Sequence, residues 1–428
     1  QVPSFTLDAM AFEAGQYVEI VDTSPSSTFQ AAVLKIASVD ATHRLLTLQG
    51  LPANAPLPET PALRRVVSYL TQPDYPAPAA AKLEPGRYQA YLDVWERHVC
   101  SAEDDSIREV ALGGPDTASR AKVVWQVKLT SPCENEARGG CCDPQELRRR
   151  LEPPGRPRLK ARARVDAAAT DPCIIAPDAR YRGPENQLYR VEIHTSGAVG
   201  DAVPPTFKWS RENGSVVFPI VSGGGTKVLV LETLGRDDRF GLREGDWVEV
   251  ENDDAAQQNL ARPLLQVMAI DRTSMSVTLS GAADGIGDDQ AKHPLLRRWD
   301  QQQGDPTDNG LDLGADGAAL IVEDGNDNWL NLEDGVQIQF QPAADSAAPN
   351  QYRTGDYWLI PARTATGDVE WPSEADAQGN AVPLALPPDG VVHHYAPLGL
   401  LTVDANGDVA VTSLCAKRFD PLARLPTT

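Results

Sequence analysis

Short runs of alternating apolar and polar residues occur along most of the chain. They are rich in Val, Ile, Thr, Tyr and Trp and are bounded by turn-forming residues, as in "QYVEIVD", "VVWQVKL", "LYRVEIH", "TKVLVLE", "DWVEVEN" and "YWLIPA". A period of two is typical of β-strands with one buried face. Only "QELRRRLE", residues 145–152, has apolar residues at helical spacing. We therefore predict an all-β protein with very little helix, built from several β-sandwich or small β-barrel modules.

One arrangement of strands occurs twice. "FEAGQYVEIVD" and "VLKIASVDATHRLLTLQG", within residues 12–50, match "LREGDWVEVEN" and "PLLQVMAIDRTSMSVTLSG", within residues 242–281, in order and spacing. The paired positions are Gly15 and Gly245, Tyr17 and Trp247, Glu19 and Glu249, Asp40 and Asp271, and Thr47-Leu48 and Thr278-Leu279. A glycine before an aromatic residue allows a tight turn while the ring covers a core. These first and second copies predict a repeated barrel-like unit.

The repeat and the proline-rich stretches suggest domain boundaries. We predict a first barrel-like module at 1–70, a stiff proline-rich linker at 71–86, a central β-domain at 87–235, a second barrel-like module at 236–290 and a C-terminal β-region at 291–428. Within the central domain, the Cys/Arg/Pro-rich stretch 131–172 is predicted to be a long excursion at the domain edge. The sequence leaves open whether the second module is a separate domain or an insertion.

The charge of the chain limits the classes of partner that it is expected to bind. Sixty acidic and thirty-nine basic residues give a formal net charge of −21, which repels a nucleic-acid backbone. No apolar run reaches the roughly 18 residues that a membrane span needs, so none is predicted. The chain starts with Gln1 and lacks the features of a signal peptide, so we expect a mature form or a piece of a longer protein, and the compartment stays open.

Cysteines and acidic turns are the candidates for cross-links and metal ligands. Cys133, Cys141, Cys142 and Cys173 lie close enough in sequence for a disulfide, while the absence of a CxxC pair disfavours zinc. Cys100 and Cys415 lie apart from them. The acidic tip formed by Asp324, Asn326 and Asp327 offers oxygen ligands that suit calcium. No other cofactor is predicted.

Polar side chains are dense in "YRGPENQLYRVEIH", residues 181–194, and in "TFKWSRENGSVVFPI", residues 206–220. Arg190, Glu192 and His194 share one strand face by period two, and Asn213-Gly214 predicts a type I′ hairpin turn that places Arg211 and Glu212 at its tip. We interpret these polar residues as a framework of cross-strand ion pairs. The residues predicted to contact other domains or subunits are Arg182, Glu185, Asn186, Arg190, Lys208 and Arg211.

Catalytic constellations are harder to find. "YLDVWERHV", residues 91–99, contains Asp93, Glu96 and His98, which could act as acids or bases, but alternate residues of a strand face opposite ways. The sequence has no nucleophile elbow, phosphate-binding loop or dinucleotide fingerprint. No catalytic residue is therefore predicted.

Several long motifs resemble one bacterial family. They are "YLDVWERHV", "SIREVALGGPDTASRAKVVWQVKL", "DPCIIAPDARYRGPENQLYRVEIH", "TFKWSRENGSVV", "YRTGDYWLIPARTATGDVEWP" and "HHYAPLGLL", and together they extend over about residues 65–401. In this order they resemble the uncharacterised DUF6519 family. The resemblance implies a β-rich architecture and a role in phage-tail-like particles or contractile injection systems, and it supplies no catalytic residues.

Three functions are therefore weighed. The first is a non-enzymatic structural or adaptor component of such a particle, or of another extracellular assembly, that contacts other protein subunits and is itself homo-oligomeric. It would be particle-associated, in the cytoplasm before release or outside the cell. The second is a surface-glycan-binding module with Trp95, Trp209, Trp247 or Trp358 stacking on sugar rings, which buried tryptophans would exclude. The third is a polysaccharide hydrolase with two carboxylates in a groove.

Overall fold

In the computed structural model, strands are by far the main regular secondary structure of the described residues. The structure describes residues 6–7, 10–24, 32–50, 58–75, 83–112, 118–133, 140–152, 155–164, 180–326, 328–343 and 349–415. Within these ranges no helix is long and apolar enough to cross a membrane. The all-β prediction is confirmed.

The described residues form 26 strands. In chain order they are β1 Thr6–Leu7, β2 Met10–Ala11, β3 Tyr17–Asp22, β4 Ala32–Asp40, β5 Leu45–Gln49, β6 Pro61–Val66, β7 Gly86–Val99, β8 Arg120–Thr130, β9 Arg158–Ala163, β10 Gln187–Thr195, β11 Thr206–Ser210, β12 Val217–Ser222, β13 Val228–Leu231, β14 Trp247–Glu251, β15 Leu264–Asp271, β16 Ser276–Leu279, β17 Leu295–Trp299, β18 Ala319–Leu320, β19 Leu330–Asn331, β20 Val336–Gln341, β21 Tyr357–Arg363, β22 Asp368–Val369, β23 Ser373–Ala375, β24 Ala381–Pro383, β25 His394–Val403 and β26 Val409–Leu414.

Two short α-helices interrupt the strands in the described ranges. Helix α1, Pro144–Leu151, coincides with most of the predicted 145–152, and the Asp143 side chain caps it by accepting a hydrogen bond from the Gln145 backbone N–H at 2.9 Å. Helix α2, Asp253–Gln258, was not predicted; Asn252 caps it by accepting from the Ala255 N–H at 3.0 Å. Its six residues are too few for a helical period to stand out in the sequence.

The chain divides into two compact units. One unit contains Gln1–Leu92, Trp125–Pro132 and Leu398–Thr428, and the other contains Asp93–Val124 and Cys133–Pro397. In the first unit, β3 to β6 form a sheet in the order β5-β4-β3-β6 over a core that includes Phe12, Val18 and Ile36. A further sheet of four strands has the order β26-β25-β7-β8.

The second copy of the repeat forms part of a closed barrel with the order β12-β13-β16-β15-β14-β17. Its β16-β15-β14-β17 segment has the same strand order as β5-β4-β3-β6 of the first copy. In both copies the glycine that precedes the aromatic residue has φ +94°, and its N–H donates to a carbonyl at 2.8 Å, that of Ile36 for Gly15 and that of Val267 for Gly245. The predicted repeat is therefore present in the backbone.

The strands of a β-sandwich precede and follow the barrel strands along the chain. The five-stranded sheet β18-β11-β10-β21-β22 and the three-stranded sheet β19-β20-β9 share one core, whose largest members include Trp209, Trp358 and Phe340. Strands β12 to β17 lie between β11 and β18 in the chain. The barrel is thus an insertion in the sandwich, and it extends from Val217 to Trp299, beyond the predicted 236–290.

Two local predictions differ from the structure. Asn213 and Gly214 have positive φ, and the Ser215 N–H donates to the Glu212 carbonyl, as the predicted turn requires. However, β11 pairs in the sandwich and β12 in the barrel, so the turn connects two cores and is not the tip of a hairpin. The predicted linker 71–86 also differs at its start, because Gln72 is buried and its side chain donates to the Val127 carbonyl at 3.0 Å.

Candidate functional site: a charged seam and a cleft

A line of ion pairs connects the sandwich to the barrel, and we call it the charged seam. At its centre Glu192 of β10 and Lys208 of β11 are cross-strand partners, with Lys208 Nζ 3.3 Å from Glu192 Oε1. Lys208 also bonds to Glu249 of the barrel strand β14. The Trp299 indole N–H donates to Glu249 at 3.0 Å, and the Lys208 ammonium lies 4.3 Å from the centre of the Trp299 ring. Sandwich and barrel thus share one buried lysine.

The seam continues in both directions from Lys208. Arg190 Nε lies 2.5 Å from Glu192 Oε2, and Arg297 donates to both oxygens of Glu251 at 2.8 and 3.1 Å. At the other end, Arg211 donates to Glu333 at 2.8 Å and lies 3.8 Å from Asp300. Charge-assisted and bidentate pairs are the strong class of hydrogen bond.

Burial sets the protonation of these groups. Burial opposes the charge of Glu192, but Arg190 and Lys208 outweigh it and lower the pKa of Glu192 to about 2. Burial also opposes the charge of Lys208, yet Glu249 and Glu192 raise its pKa above the ordinary value. Glu333 shows the opposite balance, because desolvation raises its pKa to about 7 despite Arg211. The residues at the centre of the seam are therefore charged, whereas Glu333, at one end of the seam, has a pKa close to neutral pH.

A cleft of about 560 Å³ lies at the Arg190 end of the seam. It is lined by Val94, Trp95, Glu96, His98, Val123, Arg190, Tyr357, Gly390, Val391, Val392 and His394. The Arg190 guanidinium lies 3.6 Å above the Tyr357 ring. Desolvation and the nearby Arg297 lower the pKa of His98, which is therefore neutral at pH 7. The cleft combines one cation, one carboxylate, two imidazoles and an apolar rim.

A histidine–aspartate pair lies next to Trp95 of the cleft lining. His393 Nδ1 is 2.7 Å from Asp93 Oδ1, and the His393 ring lies between Trp95 at 5.0 Å and Tyr395 at 5.8 Å, measured between ring centres. Asp93 is buried on the strand face opposite Glu96 and His98, as the alternation of the strand predicts. These three residues do not form one acid–base site.

The structure separates the six predicted contact residues into two groups. Arg190, Lys208 and Arg211 belong to the charged seam and bind partners within the chain. Arg182, Glu185 and Asn186 are exposed in the segment before β10, where Glu185 pairs with Arg239 and Asn186 accepts from the Thr364 N–H at 3.0 Å. Contacts of these residues with other subunits stay a prediction.

The four tryptophans that were predicted to stack on sugar rings are mostly buried. Trp209 and Trp358 are 1% and 2% exposed within the sandwich core. Trp95 is 5% exposed, and Trp247 is half-buried against the core that contains Trp299. A sugar ring cannot stack on Trp209 or Trp358 in this structure.

The acidic tip is a turn among the described residues. Asp324 accepts a hydrogen bond from the Asn326 N–H at 2.6 Å, and Asp327 lies outside the described residues. In the part of the chain that the structure describes, no group of three or more His, Cys, Asp or Glu side chains is placed to hold a metal ion.

One of the predicted cysteine cross-links is present. Cys133 and Cys141 form a disulfide with their Cα atoms 5.2 Å apart, a separation that disulfide geometry allows. Cys142 and Cys415 are each in a disulfide as well, although Cys415 was not among the predicted four. Cys173 lies outside the described residues. Cys100 is a free thiol whose pKa is raised by burial and by Glu103.

The sequence did not reveal several residues of the seam and the cleft. Glu249 was recognised only as the repeat partner of Glu19, and Glu251, Arg297 and Glu333 were not singled out. The alternation in "WVEVE" predicts one buried and one exposed face, so it did not signal that Glu249 is buried. Tyr357 and the Val391-Val392 rim carried no signal either.

Comparison with known proteins supplies the family. The model of the family of unknown function DUF6519 matches residues 77–151 and 147–427, which is most of the chain. No curated protein and no solved structure matches significantly. The chain therefore belongs to the DUF6519 family.

Proposed function

We propose that this protein is a non-enzymatic structural or adaptor component of a phage-tail-like or contractile-injection-type particle, or of another extracellular assembly. One observation carries the proposal: the outward face of the first copy exposes the positions that the second copy uses to pack on the sandwich. Tyr17 is 38% exposed and Val33 is 56% exposed. Their counterparts Trp247 and Leu264 lie in a cluster with Trp299.

The composition of this face suits a protein partner. It has an aromatic ring, an exposed valine and the Glu19–Arg64 ion pair, with Arg64 Nε 3.0 Å from Glu19 Oε2. Aromatic residues and arginine are enriched where proteins meet. The equivalent face of the second copy already binds a β-sheet through Lys208 and Glu249. This arrangement supports an adaptor that packs one module on its own sandwich and offers the other to a neighbouring subunit.

The cysteines support an extracellular place of action. Disulfides persist in oxidising surroundings and are rare in the cytosol of most organisms. The Cys133–Cys141 disulfide and the bonded Cys142 and Cys415 favour a protein that functions after release from the cell.

The test is the mass of the native protein, measured by light scattering in solution and by electron microscopy of its source particle. We expect an oligomer or particle-bound protein, and Val33→Asp should weaken that association. Val409→Asp is the matched control, since Val409 is 55% exposed in the same unit but lies on β26. A monomer free of any particle, or equal effects of the two variants, would overturn the proposal.

A further inference from the structure

The cleft at the end of the charged seam contains an arginine with unused hydrogen-bonding capacity. Arg190 uses Nε for Glu192, and its terminal nitrogens have no acceptor among the described residues. Its guanidinium is fixed between Glu192 and the Tyr357 ring, so it presents two N–H groups in a set orientation. A guanidinium held in this way matches the two oxygens of a carboxylate.

The same cleft also offers a hydrogen-bond acceptor. Glu96 is exposed on β7 and lines the same cleft, where its carboxylate can accept a hydrogen bond from an N–H. His98 and His394 line the cleft beside it. A ligand with both a carboxylate and a nearby N–H would bind both Arg190 and Glu96.

The rim of the cleft is apolar and faces solvent. Val123, Val391 and Val392 are 58%, 43% and 64% exposed and belong to the lining of this one cleft. Arg190 covers one face of the Tyr357 ring at 3.6 Å, and Trp95 is 5% exposed, which leaves little aromatic surface for a sugar. The rim therefore suits an aliphatic group and disfavours a carbohydrate.

We propose that this cleft binds the C-terminal residue of a peptide that ends in an apolar amino acid. The carboxylate would pair with Arg190, the last amide N–H would donate to Glu96, and the side chain would lie against Val391 and Val392. A volume of about 560 Å³ is in the range of small-ligand sites and accommodates the last residues of a chain. This site is independent of the outward face of the first copy.

The probe is N-acetyl-Leu-Val with a free carboxylate, compared with the same dipeptide as its C-terminal amide, by calorimetry or NMR titration of the full chain. We expect at least about tenfold weaker binding of the amide, because it cannot form the charged bidentate pair. Equal affinity for the two forms would overturn the proposal. Octanoate has a carboxylate and an aliphatic chain but no amide, so it tests whether the carboxylate must belong to a peptide. Octanoate binding as tight as that of the dipeptide would overturn the peptide assignment.

Two cleft variants and one control variant distinguish a loss of binding from a loss of folding. Arg190→Lys preserves a cation beside Glu192 but loses the planar fork, and we expect at least about tenfold weaker binding. Val392→Glu changes an exposed rim residue and should weaken binding similarly. Val203→Glu is the matched control, because Val203 is 66% exposed and is not part of the cleft lining. Unchanged binding in both cleft variants would contradict the site.

Discussion

The two copies of the repeat have the same strand order and the same glycine turn, but their outward faces have different surroundings. In the first copy Glu19 pairs with its cross-strand neighbour Arg64, whose side chain is 65% exposed. In the second copy Glu249 has the same relation to Arg297, yet it bonds to Lys208 and Trp299 and is 2% exposed. One module thus uses this face on the surface and the other uses it in the interior.

A single position explains the change of partner. Arg297 bonds to Glu251, two residues beyond Glu249, whereas the corresponding residue of the first copy is Val21. Because Glu251 occupies Arg297, Glu249 is left for Lys208 of the sandwich. The surface ion pair of the first copy thus corresponds to a docking contact in the second copy, where one additional carboxylate binds the arginine.

The largest expected difference between the copies follows removal of one charge from each. Lys208→Met leaves Glu192 and Glu249 buried without their common cation, which should lower the free energy of unfolding by about 3–5 kcal/mol. Arg64→Ala removes an exposed partner and should cost about 0–1 kcal/mol. Denaturant unfolding followed by tryptophan fluorescence measures the first, and hydrogen exchange across β3 to β6 measures the second, because no tryptophan precedes Trp95. Comparable losses would mean that the two faces do not differ in energy.

The second test concerns the close packing of Gly317 against the Trp247 ring. A Cβ added to Gly317 would lie 2.3 Å from the Trp247 ring, and Gly317 has φ +77°. Gly317→Ala should therefore destabilise the protein by about 2–4 kcal/mol through both overpacking and backbone strain. Gly379→Ala is the control for strain alone, since Gly379 has φ +84° and nothing within 4 Å of the added atom. Equal losses in denaturant unfolding would show that the Trp247 contact tolerates the methyl group.

The sequence predicted the modules better than their contacts. Alternation predicted strands such as β3, β10 and β14, and the match between Gly15 and Gly245 identified the repeat, because both signals are local. The barrel also required β12, β13 and β17, which pair with distant strands and have no counterpart in the quoted repeat. The Asn213-Gly214 turn was recognisable, but its neighbours join different sheets. The Lys208–Glu249 contact depends on that joining, so no local pattern could predict it.

The pH dependence of stability should come from the surroundings of the second copy. The folded pKa of Glu333 is raised to about 7 from 4.5, so its contribution is fully present below about pH 4.5 and is lost as the pH rises through 7. In the first copy, hydrogen bonds from the backbone and side chain of His43 lower the pKa of Asp40, which therefore titrates below this range.

Glu333→Gln tests this assignment. Between pH 4.5 and 7.5 the wild type should lose on the order of 1–3 kcal/mol relative to the variant. Urea unfolding at several pH values measures both proteins. Parallel profiles of wild type and variant would show that Glu333 does not titrate in this interval.

The smallest expected effect concerns the feature that the copies share. Gly15 and Gly245 both have φ +94°, and a Cβ at either would meet nothing within 4 Å. Gly15→Ala and Gly245→Ala should therefore each cost about 1 kcal/mol, because only the left-handed backbone conformation opposes the methyl group. Hydrogen exchange of the strands that follow each glycine measures the two losses on one scale. A much larger loss at Gly245 would show that the sandwich constrains the backbone of the second copy, whereas equal losses would confine the difference between the copies to their outward side chains.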